Sequence, residues 1–194
     1  MDAAAESKGV YLDFRAGAMY LQDADNDASG SVLETSYDPG YAIALAGGYD
    51  FGDFRLEGEI SSRSADVDEV EFTGLGVTVD GAGDAFAVAG MFNAYYDFDL
   101  GSPWTPYVGG GIGAAVVGFN NWRVAGLDLS DDDDLVFAFQ GAAGLGYEFN
   151  DNFTLYGGYR FFGTTEPSLQ NEAGNAFDSE FYSHSVELGI RYTF

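Results

Sequence analysis

From Gly9 to Phe194 the chain falls into eight segments in which apolar and non-apolar residues alternate. This period-two pattern puts successive side chains on opposite faces of a β-strand. In the last segment Val186, Leu188, Ile190, Tyr192 and Phe194 share one face, and Glu187, Gly189, Arg191 and Thr193 share the other. The first segment, residues 9–21, sets Val10, Leu12, Phe14, Ala16, Ala18 and Tyr20 against Tyr11, Asp13, Arg15, Gly17 and Met19. The same alternation predicts strands over residues 41–51, 54–60, 85–98, 107–116, 135–149 and 153–162.

The connections alternate in length. Residues 22–40, 61–83, 119–134 and 163–180 read as long loops, the second continuing as a hairpin through Val77-Thr78-Val79, whereas 50–53, 99–105 and 150–152 are short turns. An even-stranded meander with short turns at one end and long loops at the other is the signature of a membrane-spanning barrel. Phe and Tyr gather near strand ends at Tyr41, Tyr49, Phe51, Phe98, Tyr147, Phe149, Phe153, Tyr192 and Phe194, where an interfacial girdle belongs. The expected fold is all-β, an eight-stranded antiparallel up-and-down transmembrane β-barrel over residues 9–194, with residues 1–8 as a leader remnant or periplasmic tail. A soluble, lipocalin-like barrel is the second reading.

The reverse faces sharpen this picture. Arg15, Arg55, Arg160 and Arg191, four of only seven basic residues, all fall there, together with Asp13, Glu57, Glu59, Asp97, Glu148 and Glu187. The fifth strand adds an almost bare reverse face of Gly109, Gly111, Gly113 and Ala115. Charges removed from water are costly unless paired, and an eight-strand lumen is just wide enough for side chains to fill. An interior ion-pair network is expected, acting as a plug or as a gate.

A net charge of −25, from 32 acidic and 7 basic residues, argues against nucleic acid as a partner. The chain has no Cys, which removes disulfides, thiol nucleophiles and thiolate-bound metals from consideration. No apolar run reaches the roughly 18 residues of a spanning helix, a criterion that overlooks barrels.

The stretches Asn93-Ala94-Tyr95-Tyr96-Asp97-Phe98 and Thr105-Pro106-Tyr107-Val108-Gly109-Gly110-Gly111-Ile112-Gly113 resemble the small outer-membrane β-barrel family that includes OmpA-like transmembrane domains and opacity-type surface proteins. The terminal Tyr192-Thr193-Phe194 is similar to that family's carboxy-terminal signal, so Tyr192 and Phe194 are the expected marks read by the barrel-assembly machinery. The resemblance implies a monomer in the outer membrane of a Gram-negative bacterium, surrounded by lipid and lipopolysaccharide. A peptidoglycan-binding domain is absent from these residues.

Three constellations invite chemistry. His184, the only histidine, stands between Ser183 and Ser185 and could serve a lipid-deacylating hydrolase, but alternation sends it to the face opposite the serines. The run Asp131-Asp132-Asp133-Asp134 is a weak calcium candidate that lacks EF-hand spacing and otherwise reads as a solvated acidic loop. Gly109 to Gly113 has neither a Lys nor a following helix to cradle phosphate. No cofactor is expected beyond weakly bound divalent cations. The sequence thus predicts a structural or surface-interaction protein acting through acidic external loops. A narrow transport pore is the alternative, and a lipid-modifying enzyme the third reading.

Overall fold

The computed structural model describes residues 8–21, 26–28, 31–37, 39–72, 77–80, 82–124, 127–128, 133–165 and 182–194. Eight strands build the barrel: β1 (Gly9–Leu21), β2 (Gly40–Asp50), β3 (Phe54–Phe72), β4 (Ala82–Asp97), β5 (Trp104–Val124), β6 (Asp133–Glu148), β7 (Phe153–Thr164) and β8 (Tyr182–Thr193). Each pairs antiparallel with its neighbour in sequence, and β1 pairs with β8 from Tyr11 opposite Thr193 to Leu21 opposite Ser183. The sheet closes on itself and leaves the barrel no free edge. The short connections, and Lys8 and Phe194, lie at one end; the long ones lie at the other.

The alternation behaves as the sequence predicts, with the apolar set outward. Leu188 is 73% exposed and Ile60 70%, whereas the inward Arg15 is 3% exposed. A barrel that exposes its apolar side chains and buries its charges is inverted relative to a water-soluble one, so the lipocalin-like reading is set aside.

The largest differences from the expected boundaries lie at the loop end. β3 does not stop at residue 60 but runs through Phe72, paired with β2 as far as Ser64 and with β4 as far as Asp66. Its outward positions there are Ser62 and Ser64, so the apolar signal fades while the backbone ladder continues. Ser31–Tyr37 and Val77–Asp80 flank this extension, the latter completing the expected hairpin. β5 likewise continues to Val124, and Asp133 and Asp134 open β6 opposite Gly118 and Val117 rather than closing a loop. β8 begins at Tyr182, four residues before the predicted start. The barrel wall is therefore taller over β3 to β6, where β5 has 21 residues, than over β7 to β2, where β2 has 11. Residues 1–7, within the expected tail, and Asp131 and Asp132 lie outside the described residues.

Candidate functional site

Among the described residues the lumen gathers most of the buried polar side chains, and β3 supplies its centre. Arg55, Glu57, Glu59, Ser61 and Arg63 follow one another along the inward face of β3, and all are buried. Arg15 of β1 donates from Nη2 to Glu57 Oε1 at 2.7 Å and to Glu59 Oε2 at 3.2 Å. Arg160 of β7 donates from Nε to Glu187 Oε2 at 3.0 Å and approaches Glu59 at 3.6 Å. Arg55 grips Asp97 with both Nε and Nη2, the latter at 2.9 Å from Oδ1. Asp13 lies 3.6 Å from Arg15 and 3.9 Å from Arg191. Nine of the ten predicted network residues are thus buried side chains of the lumen. The tenth, Glu148, sits half-buried at the turn end, where it lines a vestibule with Asp50, Asp53, Asp97, Asp99 and Arg191.

Neutral groups bind the charges together. Tyr11 OH donates to Glu57 at 2.9 Å, and Tyr156 OH to Asp13 at 2.5 Å. Asn93 Nδ2 reaches both Glu57 and Glu59, and Gln140 Nε2 donates to Glu59 at 2.9 Å. The Arg55 guanidinium lies 4.7 Å from the Tyr95 ring centroid; that of Arg191 lies 5.1 Å from Tyr11 and 5.7 Å from Tyr156. Cation–π contact of this kind gains strength when water is excluded. Sequence reasoning placed these residues on the reverse faces without assigning them to the network. Their inward parity combined with a hydrogen-bonding tip was the available signal.

The bare face of β5 now has a cause. A Cβ at Gly109 would come within 2.7 Å of Tyr95 Cγ, at Gly111 within 2.9 Å of Asn93 Cγ, and at Gly113 within 2.8 Å of Met91 Sδ. The glycines open the space into which three inward side chains of β4 lean.

Arg63, which the sequence pattern places in a loop, is instead a member of the lumen. Its Nη1 donates to Ser61 Oγ at 2.8 Å, its Nη2 reaches Gln140 Oε1 at 3.4 Å, and its guanidinium lies 3.9 Å from the Phe162 ring centroid. Around it the loop-side half of the lumen turns apolar, with Leu21, Met91, Val117, Val136 and Phe162 packed among alanines. Among the described residues, five buried arginines (Arg15, Arg55, Arg63, Arg160 and Arg191) face six buried carboxylates (Asp13, Asp50, Glu57, Glu59, Asp97 and Glu187), so the described interior is close to neutral.

His184 faces outward and shares a 2.5 Å hydrogen bond with Tyr159 OH, while Ser183 and Ser185 are buried on the lumen side. The three do not converge. Rings collect at both rims: Tyr49 with Phe51, Tyr96 with Phe98, Trp104 with Tyr147 and Phe153 with Tyr192 at the turn end, and Phe139, Phe161 and Tyr182 toward the loops. Among the described residues, no three His, Cys, Asp or Glu side chains gather as a metal site.

Residues 1–194 match the family described as outer membrane protein beta-barrel domain. An uncharacterized protein of Brucella abortus is 33% identical over 130 residues, an alignment covering 54% of this chain and 46% of that protein. Outer membrane protein PagN of Salmonella typhimurium is 28% identical over 115 residues, covering 54% of this chain and 48% of PagN. The chain thus spans about half the length of the curated relatives it matches. Among solved structures, neisserial surface protein A superposes with a TM-score of 0.59 at 19% identity, covering 96% of this chain and 97% of the other. OprG from Pseudomonas aeruginosa gives 0.57 at 16% identity over the same shares. These two likenesses carry the fold. With closed topology, inverted polarity and a match along its whole length, the chain belongs to the outer membrane protein β-barrel domain family, whose place is the outer membrane of Gram-negative bacteria.

Proposed function

We propose that this barrel is a structural and surface-interaction protein whose lumen is closed by the arginine–carboxylate network and whose acidic loops meet the exterior. The observation that carries the closed lumen is the burial of its centre: the side chains of Glu57 and Glu59 are 1% and 0% exposed, and that of Arg15 is 4%. A conducting pore needs a continuous column of water, and charged side chains buried to this degree support a lumen without one. In planar bilayers the purified barrel is expected to give no reproducible conductance steps. Steady steps in the wild type that vanish in Arg55→Ala would establish the narrow-pore reading instead.

Residues 22–39, 66–84, 119–134 and 166–181 carry 20 Asp and Glu against one basic residue, Arg123. So one-sided a charge repels anionic partners and favours cationic ones, divalent ions that bridge to lipopolysaccharide phosphates among them. The run Asp131 to Asp134 belongs to this field. Millimolar calcium is expected to alter the fluorescence of Trp122, at the loop-side end of β5, in a Trp104→Phe background; an unchanged spectrum retires the cation reading. We assign no reaction to the lumen or to His184. Tyr192 and Phe194 are proposed as the pair that the assembly machinery reads, and the barrel is proposed to act as a monomer.

A further inference from the structure

At the turn end the described rings of the outer wall meet in twos and threes. At the loop end five rings of β6, β7 and β8 join into one plate. Between ring centroids, Phe139 lies 6.1 Å from Phe161 and 6.4 Å from Tyr182, and Tyr182 stacks on Phe161 at 5.7 Å. Phe161 meets His184 at 5.3 Å, and His184 stacks on Tyr159 at 5.9 Å. A glycine lets the plate close. Gly163 stands between Phe139 and Tyr182 in the ladder, and a Cβ there would come within 2.7 Å of Phe139 Cζ and 2.9 Å of Tyr182 Cδ1. The two rings lean over the bare backbone of β7 and cover it. The plate also has polar tips. Tyr159 OH and His184 Nδ1 share a 2.5 Å hydrogen bond, so in either tautomer Nε2 is the nitrogen left for a partner outside the wall.

Position and charge restrict what this surface meets. Val186, Leu188 and Ile190 follow it along the lipid face of β8, while β7 ends at Thr164 and β8 begins at Tyr182. The plate therefore lies where acyl chains give way to headgroups. A phosphate headgroup finds no cation there. On β6, β7 and β8 no Lys or Arg points outward, Arg160 and Arg191 being buried in the lumen, and residues 166–181 carry four acidic residues and no basic one. A sugar ring suits the surface better. It is neutral, its slightly positive C–H face rests on the negative faces of aromatic rings, and its hydroxyls exchange hydrogen bonds with the polar tips. We infer that the plate is a docking surface for the sugar ring of an outer-leaflet glycolipid, which stacks on Phe161 and Tyr182 and bonds to His184 Nε2. This deepens the surface-interaction reading. Because the surface is on the wall, neither conductance of the lumen nor a calcium response of the loops bears on it.

His184 is the only histidine, so its isotope-labelled imidazole is an unambiguous NMR reporter. The refolded full chain is placed in phosphatidylcholine nanodiscs doped with monoglucosyl diacylglycerol or, separately, with phosphatidylglycerol, and a chelator removes cation-bridged contacts. The ring signals are expected to shift saturably with the glucosyl lipid. Half-saturation should fall at an about tenfold lower mole fraction than with phosphatidylglycerol, the order that two contacts of aromatic-pair strength supply. Tyr182→Ala should cut that preference about threefold by removing one contact, and Gly163→Ala, which drives Phe139 and Tyr182 apart, should also reduce it. Tyr96→Ala, in the turn-end girdle, should leave it unchanged. Lipid retained in native mass spectrometry gives the same ranking without the histidine signal, and gel mobility of the unboiled protein verifies that each variant is folded. An equal response to the two lipids, as a plain girdle gives, a stronger response to phosphatidylglycerol, or an undiminished preference in Tyr182→Ala would overturn the assignment. So would an equal shift with free methyl glucoside, which marks a site for soluble sugar.

Discussion

Glu57 accepts from four donors at once: Tyr11 OH, Arg15 Nη2, Asn93 Nδ2 and Tyr95 OH. Glu57→Ala should therefore destabilise the barrel by about 3–5 kcal/mol, because Arg15 is left buried without its shortest partner. The double variant Arg15→Met with Glu57→Met should lose much less than the sum of the two single changes, since no charge is then stranded. Reversible urea unfolding in lipid vesicles measures both; additive losses would show that the pair is not coupled. The glycines offer a second contrast. Gly111→Ala drives a methyl into Asn93 and should cost about 1–3 kcal/mol by overpacking. Gly58→Ala, whose added Cβ meets nothing within 4 Å, should be neutral or slightly stabilising because it removes freedom from the unfolded chain.

At the level of the strand, depth decides. Leu188 lies midway along β8 on the lipid face, and Leu188→Arg should cost about 2–4 kcal/mol, as expected for a charge near the bilayer midplane. Tyr41→Arg, at the loop-side end of β2, should cost no more than about 1 kcal/mol, so equal penalties in vesicle unfolding would contradict this placement of the membrane. The faces of all eight strands were legible in the sequence because one solvent is oil and an unbroken alternate run of apolar residues marks it. Strand ends were less legible for the same reason. Once β3 leaves the hydrocarbon, Ser62 and Ser64 carry no apolar mark, and Arg63, inward between them, reads as a loop residue although its backbone is still laddered to Ala42 and Ala87. Partnerships inside the lumen were hidden more deeply. Parity shows that Glu59 and Gln140 both point inward, but that they meet across 81 residues of chain depends on barrel registry, which no local pattern encodes.

For the molecule as a whole, charge is sorted by compartment. Five of its seven basic residues are spent inside the lumen, where they nearly balance the buried carboxylates, and the loop end is left almost purely acidic. This arrangement explains how a chain with a net charge of −25 can span a bilayer: the excess lies in the loops and at the turn end, outside the hydrocarbon. The seam between β1 and β8 imposes an order in time. Tyr11 meets Thr193 across nearly the entire sequence, so the ring cannot shut while the chain is still being made, and every intermediate before that moment carries two unsatisfied strand edges. Loop-closure entropy of this size has to be met before the last ladder repays it. Escort to the membrane and templating at the open edges are therefore demands set by topology itself, and they fall on the newborn chain before any of its loops has met the outside.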